Sequence, residues 1–87
     1  MNINLNIPIT GLDGQPIPES NAGKTLATVL VSQPEGDVIK LYDWGLKLYN
    51  GQPIEIDRSD REYLVNFIKK SNQLTLLVKK QLLDAFE

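Results

Sequence analysis

Three clusters of residues could carry chemistry, and two absences limit what they can do. The chain has no His and no Cys. That removes a disulfide framework, a Cys/His zinc site, a thiolate nucleophile and a His-based general acid or base. Ala22-Gly23-Lys24-Thr25 ends like a phosphate-binding loop, in which the amides of Gly-x-x-x-x-Gly-Lys-Thr cradle phosphates while the lysine neutralises charge. The first glycine of that pattern would fall at position 18, where Pro18 has no amide hydrogen, and the chain is too short for the usual nucleotide-binding α/β sheet. The segment therefore reads as a loop entering a helix. Asp57, Asp60 and Glu62 place three carboxylates within six residues, oxygen ligands of the kind that hold Ca²⁺ or Mg²⁺. Their spacing does not match the twelve-residue calcium loop. Arg58 and Arg61 lie among them, and acids at a helix N-terminus already complement its dipole. Paired-carboxylate catalysis needs a cleft that a domain of this size rarely builds alone. No catalytic residue, metal site or cofactor is expected, and the chain reads as a non-enzyme.

Lys69, Lys70, Lys79 and Lys80 form the only basic concentration, because residues 61 to 87 hold five basic and three acidic groups while residues 1 to 60 hold four and eight. Two antiparallel helices would bring these lysines together against phosphates, but no Arg, Asn or aromatic cluster accompanies them for base readout or stacking. A small nucleic-acid-binding regulator is thus the alternative reading, against a net charge of −2 that gives no global attraction to nucleic acid or anionic lipid. The longest apolar stretches, Val29-Leu30-Val31 and Leu76-Leu77-Val78, fall far short of the roughly 18 residues of a membrane span. Met1-Asn2-Ile3-Asn4-Leu5 lacks the basic flank and apolar block of a signal peptide. A soluble cytoplasmic protein without membrane contact is expected.

The elements that position these residues follow from periodicity and turn chemistry. Ile3, Leu5, Ile7 and Ile9 alternate with Asn2, Asn4 and Asn6, the period of a half-buried strand. Asp13-Gly14 can turn it back through Gln15-Pro16-Ile17-Pro18 into an N-terminal β-hairpin over residues 1–18. Ser20 or Asn21 can cap the next segment, and Thr25 to Ser32 suits a buried helix or a strand, with a short helix favoured. Asp37 caps a clear helix from Val38 to Tyr49, stopped by Asn50-Gly51. Residues 20–50 form a helical segment, and 53–56 a short third strand that pairs with the hairpin or lies along it. Ser59-Asp60-Arg61-Glu62 has capping-box spacing and opens a helical hairpin over 59–86: one helix presents Tyr63, Leu64, Phe67 and Ile68, the next runs from Leu74 to Phe86. Gly-Gln-Pro-Ile occurs at Gly14–Ile17 and again at Gly51–Ile54. With too few copies for a repeat array, it reads as a recurrent turn. The fold class is α+β, one domain of 87 residues in which an N-terminal hairpin packs on three to four helices.

Apolar surface is in surplus. At about 100° per residue, the second helix is apolar over roughly 220°, from Trp44 through Leu48, Leu41, Val38, Tyr49, Tyr42 and Leu46 to Ile39. One packing partner cannot cover that arc. On the last helix Leu76 and Leu83 lie seven residues apart, away from the main apolar face. Trp44, Leu41, Leu48, Leu76 and Leu83 are the expected partner-binding residues, with Trp44 the anchor because large aromatics dominate interface hot spots. The partner is another protein or a second copy of the chain, and nucleic acid is not the expected one.

Lys40-Leu41-Tyr42-Asp43-Trp44-Gly45-Leu46-Lys47-Leu48-Tyr49, then Ile54-Glu55-Ile56-Asp57 with Asp60, and Leu74 through Leu83 give the chain a resemblance, over about residues 35 to 86, to small uncharacterised proteins encoded in phage and prophage genomes. The resemblance brings no catalytic residue. It implies a non-catalytic accessory to particle or tail assembly, or a host-modulating protein, in the cytoplasm of a bacterial host.

Overall fold

The computed structural model describes residues 1–86; Glu87, the last residue of the expected domain, lies outside them. Along the chain run β1 (Asn2–Ile3), α1 (Ala22–Ser32), α2 (Val38–Tyr49), β2 (Ile54–Glu55), α3 (Arg58–Lys70) and α4 (Leu76–Ala85). The fold is α+β and mostly helical. β1 and β2 pair antiparallel, with Asn2 opposite Glu55 and Ile3 opposite Ile54.

Local chemistry sets the helix boundaries. In α1 the hydroxyls of Thr25, Thr28 and Ser32 each donate to the carbonyl four residues back, so groups that often compete with helix are turned onto it. Asn21 caps its start, and Pro34 holds Gln33 extended at ψ 146° to end it. α2 starts at Asp37, whose carboxylate accepts from the Lys40 amide. It ends in a Schellman turn: Gln52 N–H donates to the Lys47 carbonyl at 2.8 Å and Gly51 N–H to that of Leu48 at 3.2 Å. Gly51 sits there at φ 76° and Gly14 at φ 80°. The repeated Gly-Gln-Pro-Ile is therefore a repeated left-handed turn, each copy leading into a paired extended segment. The capping box of α3 lies two residues before the expected one. Asp57 accepts from the Asp60 amide at 2.8 Å and Asp60 from the Asp57 amide at 3.2 Å. Ser59 lies within the first turn, and Glu62 pairs with Arg58 instead. α4 begins at Leu76 rather than Leu74 because Thr75 supplies the cap. Arg61 of α3 donates from Nε to the Phe86 carbonyl at 2.7 Å, where a cation complements the helix terminus.

The expected strand over Asn2–Ile9 is shortened to β1, and the expected hairpin to a single Thr10–Pro16 bridge. The reason is where the backbone of this arm finds partners. Leu5 accepts from Ile7 N–H at 2.7 Å, which breaks the extended run, and also from Gly23 N–H at 2.9 Å; Ile7 accepts from Ala22 N–H at 2.8 Å. Farther on, Ile17 N–H donates to the Ile9 carbonyl, Ile9 N–H to Ser20 Oγ, and Thr10 exchanges both backbone groups with the Gln81 amide of α4. Ile3, Leu5 and Ile9 keep the alternating face and are buried, whereas Ile7, at the turn, is exposed.

Those three side chains enter a core with Leu26 and Leu30 of α1, Leu41, Trp44 and Leu48 of α2, Ile54 and Ile56, Leu64 and Ile68 of α3, and Leu74, Leu82 and Phe86. α1 and α2 approach closely because Gly23 and Gly45 lie at their contact. A Cβ on Gly23 would stand 2.9 Å from the Leu48 carbonyl oxygen, and one on Gly45 2.6 Å from Val31 Cγ1. Gln81→Ala strips both partners from the Thr10 backbone. It should cost about 1 to 3 kcal/mol, read as a lower denaturant midpoint at unchanged slope in equilibrium unfolding.

Candidate functional site

α2 divides into two apolar sectors of about 100° each and a polar stripe of about 60°. Leu41, Trp44, Gly45 and Leu48 face the core. Lys40, Asp43 and Lys47 form the polar stripe. Between them, on the side toward α1, Val38, Ile39, Tyr42, Leu46 and Tyr49 stand exposed. The expected contact residues Trp44, Leu41 and Leu48 are therefore core residues: Trp44 is only 5% exposed and cannot anchor a partner. The physical reason is that two partners share the wide arc. α1 covers one flank of the inner sector, and on the other the first turns of α3 face Trp44 across a pocket lined also by Lys40, Ser59, Asp60 and Tyr63, with the Lys40 ammonium over the ring. The sector left over is the one next to it.

This outer sector borders a groove of about 280 Å³ between α1 and α2, lined by Ala27, Thr28, Val31, Tyr42, Gly45, Leu46, Tyr49 and Asn50. Its floor exists because Gly45 has no side chain. Lys24 places its ammonium 5.2 Å from the Tyr49 ring centroid at one end. Sequence reasoning had the exposed residues inside the apolar arc but chose the neighbouring sector. The position of the polar stripe does not separate the two, since Trp44 flanks it on one side and Ile39 on the other.

Leu76 and Leu83 separate. Leu83 packs partly against the core, while Leu76 is 84% exposed and, with Leu12 of the 11–15 turn, 98% exposed, lines an apolar hollow of about 400 Å³ together with Leu77, Lys80 and Gln81. Of the four lysines, Lys79 donates to the Lys69 carbonyl at 3.1 Å, capping the end of α3, and Lys80 pairs with Asp84 at 2.6 Å. The structure thus brings Lys79 to the Lys69 backbone but directs these two ammonium groups to helix chemistry. The Gly23-Lys24 segment cannot cradle a phosphate with the α1 amides. Ala22 and Gly23 donate to Ile7 and Leu5, Lys24 to Asn21 Oδ1 and Thr25 to the Asn21 carbonyl. All the amides a phosphate would use already have acceptors. Asp57 and Asp60 are likewise held by the capping box.

Asp60 is also the partner of Lys40. The two form an ion pair in which the carboxylate is 12% exposed and the lysine 46%, with the ammonium 5.4 Å from the Trp44 ring centroid. The hydrogen bond from Lys40 holds the Asp60 carboxyl below its ordinary value, outweighing desolvation and aided by the Asp57 amide and the charge of Lys40. The same hydrogen bond raises Lys40, against desolvation, with the charges of Asp60, Asp57 and Asp37 adding. A depressed carboxyl contributes stability that is complete well above its unfolded value and disappears as pH falls through the folded one. A raised lysine contributes at neutral pH and loses it as pH climbs through its folded value.

Among the described residues no helix is long and apolar enough to cross a membrane. Compared with known protein families, curated proteins and solved structures, the chain matches none.

Two measurements check this geometry. Trp44→Ala should lose about 3 to 5 kcal/mol, the cost of truncating a large core aromatic, a heavy loss for a small domain and readable as a drop in melting temperature. Asp60→Asn should be less stable than wild type at pH 7. The gap should close as pH falls below 3.8, where the unfolded carboxyl takes up its proton, toward the lower folded value. Urea midpoints for both proteins across that range give the comparison.

Proposed function

We propose that the chain is a non-catalytic protein-interaction module whose contact surface is the outer sector of α2 together with the groove it shares with α1. One observation carries this reading: Val38, Ile39, Tyr42, Leu46 and Tyr49 form a continuous exposed apolar stripe along α2 although the inner face of that helix is already packed. Scattered apolar residues are ordinary on a surface. A contiguous stripe with two tyrosines, rimmed by charges, has the composition of an interface. The resemblance to phage and prophage proteins includes the segment Lys40–Tyr49, which lies in this helix, and supports an accessory role in assembly or host modulation inside a bacterial cell by association alone. The engagement of Lys79 and Lys80 at helix termini and in an ion pair favours this reading over nucleic-acid binding.

A photoreactive residue at position 39 should form protein adducts in cells, and Leu46→Glu should remove them at an unchanged melting temperature. The same probe at Asn66, on the exposed side of α3, is the control. Equal labelling from positions 39 and 66, or adducts that survive Leu46→Glu, would sink the reading.

A further inference from the structure

Resting on that reading, we infer that the partner of this face is a second copy of the chain, related by a two-fold axis that sets the two α2 helices antiparallel with Tyr42 and Leu46 beside the axis. The spacing is the first argument. Ile39, Tyr42, Leu46 and Tyr49 step by three, four and three residues, the seam of a helix pair. That order is the same read backwards, so reversing one copy leaves the register intact. Ile39 then meets the tyrosine of the other copy at 49, and Tyr42 meets the leucine at 46. Every level pairs an aliphatic with an aromatic side chain, whereas a parallel arrangement would stack like on like. A closed two-fold contact must be self-complementary in this sense.

Charge gives the second argument. The beginning of the face carries Glu35 and Asp37, and its end carries Lys24, whose ammonium lies over the Tyr49 ring; Lys40 and Lys47 lie on the polar stripe, paired within their own copy with Asp60 and Asp43. An antiparallel pair sets acidic end against basic end and opposes the helix dipoles; a parallel pair would set lysine against lysine. Area gives the third. Exposure of Val31, Val38, Ile39, Tyr42, Leu46 and Tyr49 runs from 48% at Leu46 to 84% at Ile39. On full residue areas of about 150 to 250 Å² these fractions leave roughly 700 Å² on each copy, close to the ~800 Å² per partner of a standard interface. The groove behind Leu46, about 280 Å³, adds a recess for side chains of the second copy.

The absence of cysteine makes the test clean, because each introduced thiol is unique. In the antiparallel pair, residue 39 of one copy lies level with residue 49 of the other. The two copies of residue 39 are about 15 Å apart along the axis at 1.5 Å per residue, beyond the ~7 Å Cα limit for a disulfide. Mild oxidation of an equimolar mixture of Ile39→Cys and Tyr49→Cys should therefore give mainly the mixed disulfide. Predominance of either homodisulfide overturns the arrangement. Sedimentation equilibrium on the unmodified chain should show its mass rising from 9.8 kDa toward twice that with concentration. Leu46→Lys should weaken association about tenfold or more without lowering the melting temperature at concentrations dilute enough for both proteins to be monomers. A mass that stays at the monomer value to millimolar concentration overturns self-pairing. The interaction reading is judged separately by the adducts from position 39: adducts to other proteins then preserve it, and their absence removes both.

Discussion

The carbonyls of Leu5 and Ile7 accept from the first amides of α1, and the rest of the structure follows from that exchange. An arm that carries Ile3, Leu5 and Ile9 into a core must find partners for its own backbone, since buried polar groups left alone destabilise by about 1 to 3 kcal/mol each. Here the partners come from several directions: β2 for residues 2 and 3, the α1 terminus for 5 and 7, Ser20 and Ile17 for 9, and Gln81 for 10. The arm replaces a sheet with a strap. It supplies the acceptors that a helix N-terminus otherwise seeks in a ligand or in water.

Fixing α1 in this way also fixes α2. Gly23 sits against both the Leu5 and Leu48 carbonyls, so arm, α1 and the end of α2 meet at one point where a methyl group has no room. From there α2 turns its aromatic anchor inward, under the Lys40–Asp60 pair, and leaves its tyrosines outward. Small residues at the α1–α2 contact draw the helices together, and the remaining apolar residues of α2 are too many for the two faces available. The exposed stripe is the remainder of that packing.

Much of this was legible in the residues. The limits of α2 follow from Asp37 and Asn50-Gly51, and the pairing of Ile54 with the N-terminal segment follows from an isolated apolar triplet needing a neighbour. The surplus of apolar surface on α2 was also readable, since no single neighbour covers roughly 220° of a helix. Which sector stays outside was not, because periodicity gives the width of an arc and not the side from which neighbours approach. Trp44 misled for that reason: a large aromatic is favoured both at interfaces and in cores. The length of the first strand was equally hidden. Alternation records which side chains are buried and is silent on whether the backbone between them bonds to a strand, a helix end or a glutamine. Asp57 was missed as a cap because Ser59 offered the more familiar spacing.

The bond between Thr10 and Gln81 spans 71 positions of sequence, and that distance bears on the order in which the chain can assemble. Each helix can form from near neighbours, and α1 and α2 can meet across a short turn. The Thr10 end of the strap must wait for a part of the polypeptide made long after it, and such distant closures are reached slowly. During synthesis residues 5 to 9 can therefore dock on Ile17, Ser20 and the start of α1 early, while the Thr10 backbone keeps facing water until α4 has left the ribosome.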